Sequence, residues 1–100
     1  MSRYFVEGVV LDTTKALNHW DEDTYFDGHN QISMATYSQW NHQRLYLSSK
    51  RRYYIEEFSQ FQGTSARAYF VAKEAAAAWL LQNDHSLPPD LAGYEAVVIE

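Results

Sequence analysis

Residues 45–58, LYLSSKRRYYIEEF, constrain the fold more than any other stretch of this chain. Two short runs rich in Leu, Tyr and Ile flank a polar turn near Ser49 to Arg51, which is the pattern of a β-hairpin. Strand side chains alternate between faces, so Leu45 and Leu47 are expected on one face, with Tyr46 and Ser48 on the other. Across the turn Tyr53 and Ile55 share a face, and Tyr54 and Glu56 share its opposite. The same stretch holds three consecutive cations, Lys50, Arg51 and Arg52. It is therefore either a ring-and-cation platform for nucleobases or a hairpin whose rings hold a small sheet together.

The flanking segments supply partners for that hairpin. KEAAAAWLLQND is a helix over about 73–83, because alanine is the best helix former; Ala72, Ala75, Ala76, Trp79, Leu80 and Asn83 form its apolar stripe. Ala72 is a poor N-cap, and Asn83 is the expected left-handed stop. YFVEGVVL, 4–11, reads as a first strand with a bulge or close approach at Gly8. Asp12 caps a short helix near 13–20. ISMATYSQW, 32–40, alternates as a strand, QGTSA, 62–66, is a loop, and RAYFVA, 67–72, is a further strand. YEAVVIE, 94–100, has strand character and would add an edge. The sum is an α+β fold in one domain, 1–100: an antiparallel meander of four to five strands, the helix at 73–83 packed on one face, and a short helix near 13–20.

Sixteen aromatic rings in one hundred residues suit a half-buried sheet. No apolar run approaches the roughly 18 residues of a membrane helix. The first residues lack the continuous apolar core of a secretory signal, and no cysteine is present for a disulfide or thiolate metal site. A bacterial-type cytoplasmic protein is the expectation. The net charge of -5 is uneven: residues 44–73 carry six cations and two anions, between two acidic ends. That basic island either pairs internally or forms an anion-binding patch.

Motifs for chemistry are sparse. HWDEDTYFDGH, 19–29, gathers His and carboxylates, but Tyr25 spoils a calcium loop in either register, from Asp21 or from Asp23. The four glycines never cluster into a phosphate-binding loop, and a set such as His42, Asp27 and Ser59 has no nucleophile-elbow motif behind it. No cofactor or metal is called for, and the chain is expected not to be an enzyme. RRYYIEEF lacks the small residues of the RNA-recognition signature, and Glu56 and Glu57 sit where phosphates would pass.

The words LDTTKA (11–16), LYLSSKRRYYIEEFSQFQG (45–63) and KEAAAAWLL (73–81) resemble a family of small uncharacterised bacterial proteins of phages, plasmids and other mobile elements. The family pattern is roughly Asp-Thr-x-x-Ala, then Leu-Tyr-x-x-x-x-Gly-x-Tyr-Phe-Leu, then Glu-Ala-x-x-Trp. This chain departs from it at Arg51, where the family usually has Gly. The shared words are structural, so the resemblance implies no catalytic residue.

The leading functional expectation is a non-enzymatic protein-interaction module. Once the core is filled, Tyr25, Phe26, Tyr37, Trp40, Tyr54 and Phe61 remain, and Tyr and Trp anchor interfaces. Exposed meander edges point to a homodimer. The binding candidates are Lys50, Arg51, Arg52, Tyr54, Trp40 and Phe61. The alternative is a small nucleic-acid-binding regulator using the basic aromatic hairpin 44–58.

Overall fold

The computed structural model describes residues 3–59 and 66–99; Phe61 and most of the loop expected at 62–66 lie outside the described residues. In chain order the strands are β1 (Arg3–Val6), β2 (Val9–Asp12), β3 (Asn18–Asp21), β4 (Thr24–Phe26), β5 (Gln31–Ser33), β6 (Asn41–Leu47), β7 (Tyr53–Ser59) and β8 (Arg67–Phe70). Helix α1 (Lys73–Gln82) and a short helix α2 (Glu95–Val98) follow, separated by a 3-10 segment, Pro89–Tyr94. The fold is α+β and its sheets are antiparallel. Strands β3, β6, β7 and β8 form one four-stranded sheet in that order, while β1–β2 and β4–β5 are separate hairpins. Among the described residues no helix is long and apolar enough to cross a membrane.

The predicted hairpin is the centre of the sheet. Leu45 pairs with Ile55, Tyr46 with Tyr54 and Leu47 with Tyr53. Leu45, Leu47, Tyr53 and Ile55 face α1, which buries Ala76, Ala77, Trp79 and Leu80 against them, with Leu91 completing the cluster. Each large apolar side chain buried there contributes roughly 1.5–3 kcal/mol. On the opposite face Tyr46 and Tyr54 stack with centroids 5.1 Å apart and planes 9° apart. The β1–β2 hairpin lies over them, adding Leu11 with Tyr4 and Val6. The hairpin's tyrosines are therefore packed from both sides.

Several local expectations need correction. Residues 4–11 are two strands rather than one, because Glu7 (φ 51) and Gly8 (φ 79) make a two-residue turn of the primed kind that suits strand twist. Asp12 does cap a turn, accepting from the Thr14 N–H at 3.0 Å, but the helix stops after Thr13–Lys15. Beyond it the Leu17 N–H donates to the Leu47 carbonyl at 2.8 Å, which draws residues 18–21 into the sheet as β3. The strand expected over 32–40 ends at Ser33. The buried Ser33 Oγ accepts from the N–H groups of Ala35 and Thr36, so a local side-chain turn outcompetes the ladder.

In α1 the buried stripe includes Ala77, whereas Ala72 and Ala75 are exposed. The left-handed residue after the helix is Asp84 (φ 63), not Asn83 (φ -99). His85 N–H reaches the Leu80 carbonyl and Asp84 N–H the Leu81 carbonyl, a Schellman termination. The segment 94–98 is helical rather than an edge strand; Tyr94 and Val98 pack against the α1 side of the core.

Candidate binding sites

The β6–β7 turn carries the predicted cations on a defined loop. Arg51 N–H donates to the Ser48 carbonyl at 2.9 Å, and Ser48 N–H donates to the Arg52 carbonyl at 2.8 Å. Arg51 lies at φ 67. These bonds define a three-residue hairpin loop with a left-handed residue at its end, the position that favours glycine. Lys50, Arg51 and Arg52 are exposed there, and none has an ion-pair partner among the described residues. The basic island is thus divided. Arg44 pairs with Asp21 at 2.7 Å and Arg67 with Glu57 at 2.9 Å, while the turn cations stay unpaired.

Glu56 and Glu57, which stood as an obstacle to phosphate, are occupied internally. Glu56 is buried and accepts from the hydroxyls of Tyr4 at 2.5 Å and Tyr46 at 3.2 Å. Burial pushes the Glu57 carboxyl up, but hydrogen bonds from Gln43 and Arg67 outweigh it and hold the group below its ordinary range. Gln43 also accepts from Trp79 Nε1 at 3.0 Å, tying α1 to β6.

Beside the turn lies a pocket of about 190 Å³ between β2 and the β7–β8 end of the sheet. Lys50, Arg52 and Tyr54 line it, joined by Lys15, Leu11 and Phe70. The Arg52 guanidinium carbon sits 3.6 Å from the Phe70 ring centroid, so that side chain is held flat against a wall. Tyr54 was expected on the surface and is instead 1% exposed, and its hydroxyl has no hydrogen-bond partner among the described residues. A buried phenol left unsatisfied costs about 1–3 kcal/mol. Burial, with Tyr46 and Glu56 nearby, raises its pKa above that of an ordinary phenol, keeping it a neutral donor. Lys15 and Phe70 were not among the sequence candidates; they reach the pocket through pairings of distant segments, for which the chain carries no local signal.

Trp40 stands elsewhere, on the excursion of residues 22–40 that interrupts the β3–β6 pair. Tyr25 (42% exposed), Phe26 (63%), Tyr37 (67%) and Trp40 (42%) all lie on this excursion. It is anchored at its base. Glu22 Oε1 accepts from Ser33 Oγ at 2.8 Å and from Gln43 N–H at 2.7 Å, and its Oε2 is 2.6 Å from His42 Nδ1. The buried Asn83 Oδ1 accepts the Asp23 N–H at 2.9 Å, and Gln82 Nε2 donates to the Met34 carbonyl and the Tyr37 hydroxyl.

The carboxylate on His42 is therefore Glu22, not Asp27. Asp27 Oδ1 instead caps the β4–β5 turn by accepting from His29 and Asn30, bonds that lower its pKa. The Ser33–Glu22–His42 row puts the carboxylate in the middle, so the serine hydroxyl bonds a carboxylate rather than the histidine, and both Ser33 and the His42 Nε2 atom are buried. Among the described residues no three His or carboxylate groups converge as metal ligands. The chain matches no protein-family model, no characterised protein and no solved structure.

Proposed function

We propose that this protein is a non-enzymatic protein-interaction module whose contact surface is the excursion between β3 and β6. The observation that carries the reading is the exposure of Tyr25, Phe26, Tyr37 and Trp40 together on one segment whose base is pinned by part-buried polar bonds. Rings of this kind supply most interface energy, and holding them on a fixed scaffold lowers the entropy lost on binding. The partner is a protein with a cationic rim. No Lys or Arg occurs between Lys15 and Arg44, while Asp23 and Asp27 are exposed along the excursion. One concrete form, in keeping with the resemblance to mobile-element proteins, is an inhibitor that competes for the basic groove of a host defence nuclease.

The test compares capture by the wild type, by Phe26→Ser/Tyr37→Ser/Trp40→Ala, and by Phe5→Ser, which removes an exposed ring outside the excursion. A protein retained by the first and third and lost from the second supports the proposal; identical capture by all three overturns it. Sedimentation of the same variants tells whether the partner is a second copy.

The cations at 50–52, which have no ion-pair partner among the described residues, favour a second reading, a small nucleic-acid-binding regulator. It ranks behind because Tyr46, Tyr53 and Tyr54 are buried and cannot stack on bases. Its support would be a salt-sensitive gel shift lost in Lys50→Ala/Arg51→Ala/Arg52→Ala, and no shift at low salt removes it.

A further inference from the structure

The pocket beside the β6–β7 turn is independent of the ring-bearing excursion, and its chemistry points to a different kind of ligand. We propose that it binds a small molecule made of one aromatic ring and a terminal oxyanion, a carboxylate or phosphate. The size fits: an engineered cavity of about 150 Å³ lined by apolar side chains holds benzene, and this pocket measures about 190 Å³. The walls suit a ring, since Val9, Leu11 and Phe70 are apolar.

Its polar groups suit an anion. Lys15, Lys50 and Arg52 line the pocket with no ion-pair partner among the described residues. The one carboxylate in the lining, Asp12, is already engaged by Arg3 at 3.1 Å and by the hydroxyl and N–H of Thr14 at 2.6 and 3.0 Å. Tyr54 adds the second, independent observation. It is a buried lining residue whose hydroxyl has no partner among the described residues, and in the bound state a ligand oxygen would be its acceptor. Arg52 is preorganised by its stacking on Phe70, so little freedom is lost when it meets an anion.

The experiment titrates the full chain at low salt with phenyl phosphate, benzoate, inorganic phosphate and benzyl alcohol, following backbone amide shifts. Saturable shifts at residues 9–12 and 48–54 are expected with one or both aryl anions, and the tighter of the two identifies the anionic group. Lys50→Gln/Arg52→Gln should weaken that binding roughly tenfold or more. Tyr54→Phe should weaken it several-fold by removing one donor. Arg67→Gln, which also removes one positive charge but at the Glu57 pair, should leave it intact. No saturable shift from either aryl anion overturns the proposal. So does unchanged affinity in Lys50→Gln/Arg52→Gln, whose positions are exposed turn residues outside both buried clusters. Inorganic phosphate binding as tightly as phenyl phosphate would overturn the ring, and benzyl alcohol binding as tightly would overturn the oxyanion. Because none of these variants touches the excursion, failure here leaves the protein-interaction reading standing, and the reverse holds as well.

Discussion

The Glu22 carboxylate lies 2.6 Å from Nδ1 of His42, closing the base of the excursion that separates β3 from β6. Both side chains are largely shielded, and the second Glu22 oxygen takes hydrogen bonds from Ser33 and Gln43. One side chain thus joins the strand it follows, the loop it precedes and the strand that resumes the sheet. Glu22→Ala takes the partner from three part-buried groups, the Ser33 hydroxyl, the Gln43 N–H and the His42 ring, and the expected loss is on the order of 3 kcal/mol. Urea unfolding measures it. The same change should weaken partner capture although every ring is retained, because the scaffold beneath the rings is loosened. An unchanged unfolding midpoint would mean that the excursion is held by its other anchors alone.

Arg51 occupies a left-handed backbone position, which costs a non-glycine residue about 1–2 kcal/mol. Arg51→Gly relieves that strain but gives the unfolded chain more freedom. The net gain should be about 0.5 kcal/mol, or roughly 2–4 °C in Tm for a chain of this size. A Tm lowered by several degrees would show that the Arg51 side chain supports the hairpin in a way its backbone angle does not reveal.

The central hairpin and α1 were legible because each carries a strong local period. Leu45, Leu47, Tyr53 and Ile55 alternate, and the alanine run leaves helix as the natural state. Elsewhere tertiary contacts overrode the pattern. Val97, Val98 and Ile99 favour strand by type, yet Glu95–Val98 is helical, continuing from the 3-10 segment that docks Leu91 in the core. Ser33 ended a strand through its buried hydroxyl, an outcome invisible without knowing that it would be buried. The pocket was only half legible. Lys50, Arg52 and Tyr54 stand close in sequence, but Lys15 and Phe70 join them only because β2 and β8 come to the same end of the sheet. Tyr54 was misplaced at the surface because the cover supplied by β1–β2 depends on the turn at Glu7 and Gly8, which read as a bulge.

Burial raises the phenol pKa of Tyr46, Tyr53, Tyr54 and Tyr69 in the folded state. Against an unfolded value of about 10, the native state holds these protons more tightly. The stabilisation is therefore complete below pH of about 10 and is lost as pH rises past it. Urea midpoints should stay level from pH 8 to near 10 and then fall steeply, with the tyrosinate absorbance of these four phenols appearing together with unfolding. Tyr54→Phe should flatten part of that fall. A level midpoint well above pH 10 would contradict the burial of these rings.

At the acid end the relevant group is Asp12, whose pKa is lowered to about 2. The Thr14 hydroxyl contributes most, then the Thr14 N–H, with Arg3 adding to both. An unfolded aspartate titrates near pH of about 3.9, so its contribution is present above that value and disappears as pH falls toward about 2. Asp12→Asn keeps an oxygen for the Thr14 N–H but removes the charge and the titration. The wild type should be more stable than Asp12→Asn at pH 6, and the gap should close steadily between pH 4 and 2. Thermal unfolding of both proteins across that range decides the matter. A gap that persists at pH 2 would mean that the shape of the cap, rather than its charge, holds the end of β2 against the turn at Thr13–Lys15.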